Sequence, residues 1–416
     1  MKYIFLVVLI VLNLHSYDST IEIVKKIGKK PKIVLSDGNA GTTFSEKQRL
    51  LKLIIGDMKV TTNFDVDESL QQIAYSELNN FNTSSSLILN CKIEKVGSAL
   101  QANVKLVNVL SKKSIYEKNY NISNSSRFAF LAHAIVVDLN NYFGAPSVDW
   151  MKRYIVFSKY TTSGNSEIVI ADYTLTFQKT VVRGGLNIFP KWANSAQSAF
   201  YYTSYASGTP TLYKIDLQSG SRSKIASSSG MIVCSDVSDD GSKLLLTMAP
   251  DDQPDIYLYD VNSGSKKRVT FYNGIDVGGS FVDNGAKIVF ISERLGYPNV
   301  YSKNINGRKV EQMIYHGKNN SSCTSHGKYI VYSSRETHNS FGNNVFNLYL
   351  ISTQTDSIRK LTNSGKNMYP RFGNDGESIS FIKYKGNQSS IGILRLNANR
   401  SFLFPLHTGK IQSIDW

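Results

Sequence analysis

From about residue 151 onward, apolar runs and polar turns recur with one rhythm. An apolar-aromatic segment following a small polar loop appears as EIVIAD at 167–172, TLYKID at 211–216, DIYLYD at 255–260, NVYSKN at 299–304, NLYLIS at 347–352 and IGILRL at 391–396. The third residues are Val169, Tyr213, Tyr257, Tyr301, Tyr349 and Ile393, spaced by 44, 44, 44, 48 and 44. Gly185, Gly230, Gly274, Gly317, Gly365 and Gly409 run in phase and close each unit. A period in the forties with four strand-like runs per unit predicts β-propeller blades.

One unit, 275–317, shows the plan. GGSFVD (278–283) is short and built of small residues, which suits an innermost strand beside a crowded axis. KIVFISE (287–293) is a continuous apolar run, NVYSKNI (299–305) alternates, and KVEQMIY (309–315) is a more polar outer strand. Asn306-Gly307 predicts a tight turn with positive φ. The strings SDDGSK, VDNGAK, TSHGKY and GNDGES precede the second strand of four units. Asp, Asn and Gly recur there because such turns need left-handed backbone.

An open solenoid is the alternative architecture for such a repeat. The ends of the chain favour a ring. The last segment, KIQSIDW (410–416), has Trp416 in phase with Trp192, Val237, Phe281 and Phe372, yet no further strands follow it. Three strands without a first one open the repeat region: RYIVFSK, EIVIAD and KTVVRG. The terminal strand is therefore expected to complete the blade that opens near Tyr154, which gives six blades over 151–416 and leaves no long free edge.

Residues 17–145 do not share the repeat. TIEIVKKI (20–27) and KPKIVLSD (30–37) read as strands. SEKQRLLKLIIGDMK (45–59) places Leu50, Leu51, Leu53, Ile54 and Met58 at helical spacing, with Ser45 as the expected N-cap. Residues 86–96, 100–109 and 114–123 predict a three-strand meander, and 126–144 a second long helix ending at Gly144. The expectation is a two-domain protein: a small N-terminal α/β domain, then a six-bladed β-propeller. The short Pro-containing link, 145–150, predicts packed domains.

Charge and cysteines narrow the function classes. The net charge of +15 is divided as +3 over 17–150 and +11 over 151–416, with Lys2 carrying the remainder. The basic residues are scattered without aromatic-basic clusters. They read as a solvated surface suited to an anionic envelope rather than as a nucleic-acid site. The first 16 residues join Lys2, an apolar run to Leu14 and a small Ser16. They predict a cleaved secretory signal, the run being short for a membrane span. The three cysteines, Cys91, Cys234 and Cys323, read as buried free thiols.

No catalytic or metal motif stands out. G-x-S-x-G, a P-loop, G-x-G-x-x-G, CxxC and HExxH are all absent. His133, among apolar residues of the second helix, reads as a packed histidine. Asp239, Asp240, Asp283 and Asp375 read as turn formers, and Arg294 and Arg335 as structural pairing partners or ligand contacts. Neither a cofactor nor a metal is expected.

Several strings together resemble the TolB family of the periplasmic Tol-Pal envelope system. FLAHAIVVDLNNYFG followed by RYIVFSK is similar to the family's Ala-His helix and the strand entering its propeller. VSDDGSKLLLTM resembles the "SPDGxxLAF" turn and strand, and FISERLGYPNVY resembles the "SDRxGxPQIY" hairpin. SLILNCKIE with VKLVNVLSKKSIYEK resembles the first-domain strands. This chain departs from the pattern in lacking the turn Pro, in its link APSVDWMK and in Asn299.

The resemblance implies a monomeric, non-enzymatic adaptor of the Gram-negative periplasm that binds no nucleic acid. It implies a propeller that binds Pal, a peptidoglycan-associated lipoprotein, and an N-terminal arm linked to TolA. The expected arm is Tyr17, Asp18, Ser19, Thr20, Ile21 and Glu22, able to add a strand to a partner sheet, with a plain edge strand as the other reading. The expected Pal-like contacts lie where the chain enters each innermost strand: Met231, Cys234, Asp236, Asp276, Gly278, Ser280, Asn319, Asn320, Tyr369 and Arg371, with Arg294 and Arg335 on the same side. Two alternatives remain open. One is a glycan-binding propeller using Tyr272, Tyr297 and Tyr369, and the other is an exported propeller enzyme with an unrecognised site.

Overall fold

The computed structural model describes residues 30–39, 41–73, 83–336, 345–355 and 357–416. The expected signal segment, the arm Tyr17–Glu22 and the strand expected over 20–27 lie outside the described residues.

The first part runs β1 (Lys32–Asp37), α1 (Ser45–Thr61), β2 (Asp65–Gln72), β3 (Leu87–Val96), β4 (Ala99–Asn108), β5 (Lys113–Ile122) and α2 (Phe128–Tyr142). The sheet order is β2-β1-β3-β4-β5, with β1 parallel to both neighbours and the meander β3-β4-β5 antiparallel. Leu50, Leu51, Ile54 and Met58 of α1 and Leu131, Ile135 and Leu139 of α2 pack on Ile33, Leu35, Leu89, Val104 and Leu106. Both helices thus cover one face, giving the expected α/β domain.

Two local expectations need correction, and one strand was not expected. The N-cap of α1 is Phe44, with no side-chain capping bond, and the Ser45 hydroxyl instead donates to Glu46 at 3.0 Å. Neither Asn306 nor Gly307 has positive φ, and the turn closes through Gly307 N–H to the Asn304 carbonyl. The strand β2 adds an element that the sequence pattern does not announce. DVDESLQQ is largely exposed, as an edge strand is, and so lacks the apolar signal of a buried one.

The repeat region folds into antiparallel sheets. The first set is β6 (Ile155–Thr162), β7 (Asn165–Ala171) and β8 (Gln178–Val182). Then come β9 (Asn187–Trp192), β10 (Ala199–Ser204), β11 (Thr211–Asp216) and β12 (Arg222–Ser227); and β13 (Ile232–Val237), β14 (Lys243–Met248), β15 (Asp255–Asp260) and β16 (Lys266–Arg268). They are followed by β17 (Asp276–Val282), β18 (Lys287–Ser292), β19 (Asn299–Asn304) and β20 (Val310–Gln312); and by β21 (Lys318–His326), β22 (Tyr329–Glu336), β23 (Val345–Ser352) and β24 (Ile358–Lys360). The last are β25 (Lys366–Phe372), β26 (Ser378–Lys385), β27 (Gln388–Arg395), β28 (Arg400–Pro405) and β29 (Lys410–Asp415).

The chain's last strand, β29, pairs antiparallel with β6 and heads the sheet β29-β6-β7-β8. A single parallel pairing, Phe346 with Lys366, joins β23 to β25. The first strand of each set lies beside the next: β9 touches β29 and β13, β17 touches β13 and β21, and β25 touches β21 and β29.

The second strands explain their continuous apolar runs. In β10, Phe200 and Tyr202 face one neighbouring sheet while Tyr201 faces the other. In β14, Leu244 and Leu246 face one side and Leu245 the other, and β18 repeats this with Ile288 and Phe290 against Val289 and Ile291. Side chains alternate along a strand, so a strand sandwiched between two sheets must be apolar at every position. The turns before them use left-handed residues as expected, at Gly241, Asn284, Gly285, Gly327 and Gly376.

Candidate partner-binding face

In an antiparallel set of four strands, the loop entering the first strand and the loop joining the second to the third lie at one edge. The other two connections lie at the opposite edge. The N-terminal domain docks at the latter. His133 of α2 reaches Asp172 in the loop after β7, and Phe130 packs on Tyr154 and Phe177 at 4.9 and 5.4 Å. Arg127 donates to the Tyr154 hydroxyl. Trp150 in the link packs edge-on against Tyr173 and Trp416 at 5.1 and 5.0 Å. Among the described residues, this docking leaves the entering loops uncovered by the N-terminal domain.

Deeper in, each of the six first strands contributes one side chain to a polar belt. Lys191 Nζ sits 3.1 Å from Asp236 Oδ1 and 3.0 Å from Asp415 Oδ1, and Arg371 Nε lies 3.5 Å from Asp415 Oδ1. Ser280 Oγ donates to Asp236 at 3.2 Å and shares a hydrogen bond with Ser325 at 3.3 Å. The belt also binds main chain: Trp192 N–H donates to Asp415 and Phe281 N–H to Asp236. Two cations and two carboxylates cancel, and the side chains fasten neighbouring first strands where no strand ladder does. Burial opposes the charge on Lys191, but Asp415 and Asp236 outweigh it and raise its pKa. Asp236 and Arg371, expected as partner contacts, are half-buried and take part in this belt.

Four other expected contacts lie buried. Asp276 has no exposed surface, and both its carboxylate oxygens accept from Arg294 Nη2, at 3.1 and 3.0 Å. Asn320, equally buried, donates to Asn299 Oδ1 at 2.8 Å and to the His316 carbonyl at 3.3 Å. Asn367 and Asn187 occupy equivalent positions and hold their own entering loops through Ser364 and Gly184 carbonyls. Cys234 and Ser280 are buried as well. These side chains fix the loops, and none presents itself at the surface.

The remaining expected residues are accessible to different extents. Met231, Asn319, Tyr369, Arg294 and Arg335 are half-buried and Gly278 is exposed, with open space around its α-carbon. Arg294 pairs within its own sheet, not with a neighbour, and stacks on Tyr301, Tyr272 and Phe290 at 5.0, 5.1 and 5.6 Å. That stacking occupies Tyr272, one of the glycan candidates. The turn Asps behave as expected: Asp240 and Asp375 accept main-chain N–H groups of Ser242 and of Glu377 and Ser378.

Sequence reasoning missed a set of apolar side chains in the entering-edge loops of two successive blades. Phe271 is 68 % exposed, Leu295 56 %, Tyr315 81 % and Ile275 38 %. Glu293 N–H bonds the Ile275 carbonyl, which ties two of these loops together. For Phe271, Ile275 and Leu295 the available signal was their position, since large apolar residues in turns outside the strand period have no core to fill; Tyr315 falls in the outer strand expected over 309–315, whereas β20 ends at Gln312.

The three cysteines are free and buried, as expected, and burial raises the thiol pKa of each, that of Cys323 to about 12. Among the described residues no group of three His, Cys, Asp or Glu side chains could hold a metal ion.

Comparison with known proteins gives this arrangement its family. The model of the TolB beta propeller domain matches residues 150–416. The chain is 45 % identical over 419 residues to the Tol-Pal system protein TolB of Wolinella succinogenes, covering 97 % of each, and 45 % identical to that of Helicobacter hepaticus, covering 100 % of each. The crystal structure of TolB from Acinetobacter baumannii superposes with a TM-score of 0.75 at 20 % identity, covering 93 % of this chain and 97 % of that one, which is a likeness of fold. With a family model over the whole repeat region and relatives of this identity along nearly the full length, the chain belongs to the TolB family.

Proposed function

We propose that this protein is a non-enzymatic adaptor of the Tol-Pal system. It is exported by a cleaved N-terminal signal, the mature chain beginning near Tyr17, and works in the periplasm to support outer-membrane integrity and envelope invagination at division. Its mature form has an α/β domain over 17–145 and a propeller of six blades over 151–416, closed by β29. The pairing of β29 with β6 and the succession of touching first strands support that closure. The near full-length likeness to relatives named Tol-Pal system protein TolB supports the system.

A Pal-like lipoprotein binds the uncovered face. The observation that carries this reading is the asymmetry of the disc: the N-terminal domain docks at one edge, and Phe271, Ile275, Leu295 and Tyr315 stand exposed at the other. Met231, Gly278, Asn319, Tyr369, Arg294 and Arg335 are the accessible or half-buried residues that share this partner face. Exposed aromatic and aliphatic anchors carry most of the free energy of a protein interface. The double variant L295S/Y315S is therefore expected to weaken Pal binding by at least about tenfold, measured calorimetrically, with an unchanged melting temperature. Asp240→Lys, at the edge on the docked side, is expected to bind as the parent does. Equal binding by the first variant with loss in the second would place the partner on the wrong face.

A TolA-like protein binds the arm Tyr17–Glu22. Its alternating Thr20-Ile21-Glu22 suits strand addition to a partner sheet. Deleting 17–22 is expected to abolish binding to the TolA-like partner while leaving Pal binding intact. Retained TolA binding by the folded deletion variant would remove the arm from the interface.

A further inference from the structure

His133 lies at the junction of the two domains with no exposed surface. Its Nδ1 is 2.7 Å from Asp57 Oδ2 on α1, and its Nε2 is 3.3 Å from Asp172 Oδ2 on the propeller. Tyr173, next in the propeller loop, donates its hydroxyl to Asp57 Oδ1, and its ring lies 4.9 Å from the imidazole. Asp172 also accepts from the main-chain N–H groups of Thr174 and Phe177, which fixes its carboxylate. The surround is otherwise aromatic: Phe130 lies edge-on to His133 at 5.9 Å, and Trp150 packs on Tyr173. The titratable groups facing the ring are thus Asp57 from α1 and Asp172 and Tyr173 from the propeller.

We propose that the imidazolium of His133, shared between a carboxylate of each domain, is a proton-dependent latch that holds the N-terminal domain on the propeller. The argument is one of donor count. An imidazolium donates two N–H groups, one to each carboxylate. A neutral imidazole donates one, and its other nitrogen presents a lone pair to an anion. The hydrogen bond to Asp57 is the shorter and lies within the N-terminal domain, so the proton that remains stays on Nδ1. The hydrogen bond that breaks is then the one His133 itself makes across the domains, to Asp172, while that of Tyr173 to Asp57 remains.

Burial works against charge on His133, but Asp57 and Asp172 outweigh it and raise its pKa to about 9. Burial also raises Asp57, while hydrogen bonds from His133 and its loop overcome burial and lower Asp172. A histidine raised above its unfolded value of about 6.5 contributes stability that is complete below that pH. The contribution falls as pH rises and is lost through about 9. The latch is therefore closed at neutral pH and opens in mild alkali.

The test is a pH series from 5.5 to 10.5 on the purified protein. His133 is followed by NMR of 13Cε1-labelled histidine, and the interface by tryptophan emission in a Trp192→Phe background, where Trp150 and Trp416 remain. The expected result is one histidine resonance with a midpoint near 9, absent in H133Q, and an emission change with the same midpoint that H133Q lacks. Asp172→Asn removes one carboxylate charge and is expected to lower that midpoint by at least about one unit, so the idea stays testable should H133Q fail to fold. A His133 midpoint at or below about 6.5, a midpoint indifferent to D172N, or emission that stays flat while His133 loses its proton would each overturn the latch.

Discussion

Removing Ile411–Trp416 leaves a protein that fails to fold or aggregates at 37 °C. The deleted residues form the strand β29, which pairs with β6 from Lys410–Tyr160 to Asp415–Val156. Ile411, Ile414 and Trp416 are 0, 1 and 8 % exposed. Burial of large apolar side chains contributes about 1.5–3 kcal/mol each, so these three alone approach the 5–15 kcal/mol that holds a typical domain together. The loss does not end there. Without Asp415, Lys191 keeps only Asp236 as its ion partner and the Trp192 N–H loses its acceptor. The edge of β6 is laid open to pairing with other chains. Trp416 also packs on Trp150 in the link, so the docking of the N-terminal domain is weakened too. Solubility, thermal melting and light scattering read the outcome. A soluble truncated protein that melts where the parent does would show that β29 does not close the propeller.

Lys47→Met is expected to destabilise the N-terminal domain by about 3–5 kcal/mol, the usual cost of leaving one member of a buried ion pair alone. Lys47 and Asp37 have no exposed surface. The Lys47 ammonium lies 2.8 Å from Asp37 Oδ1 and donates to the carbonyls of Asn39 and Thr42, both at 2.7 Å, so its three donors are used. Methionine fills the volume but leaves the Asp37 carboxylate without its counter-charge in the interior. The double variant K47M/D37N is expected to recover most of the loss, because the stranded charge is gone. The readout separates the domains. Both α-helices among the described residues belong to the N-terminal domain, so helical circular dichroism follows it during urea unfolding. The helical signal of K47M should disappear at lower urea than in the parent. A shift below about 0.5 kcal/mol, or a double variant no better than K47M, would show that the pair carries little of the domain's stability.

The period of the repeat, its turn residues and the order of the strands were legible because they are local. A strand sandwiched between sheets must be apolar throughout, as Phe200, Tyr201 and Tyr202 are, and a left-handed turn selects Asn or Gly, as at Asn284 and Gly285. These requirements write themselves into neighbouring residues. The in-phase strand at 410–416 pointed to pairing at the other end of the repeat, since a first strand without successors and three successors without a first strand have one economical solution.

What side chains touch across blades was not legible. Asp236 lies near the end of β13 and Asp276 at the start of β17, and nothing in their neighbours tells that one faces the belt and the other a half-buried Arg294. Nor could the sequence reveal that Asn320 is buried while Tyr315 is open to solvent, because exposure depends on what the neighbouring sheets and the N-terminal domain place nearby. His133 makes the point most simply. Its helix and apolar neighbours predicted burial, and burial is what the structure shows. Its two carboxylate partners stand 76 residues before it and 39 after it, one in each domain. The sequence by itself determined the repeat, the two-domain plan and the family. Tertiary structure decided which polar residues are buried in pairs and which stand at the surface, because burial and charge pairing are properties of distances between elements, which no local pattern encodes.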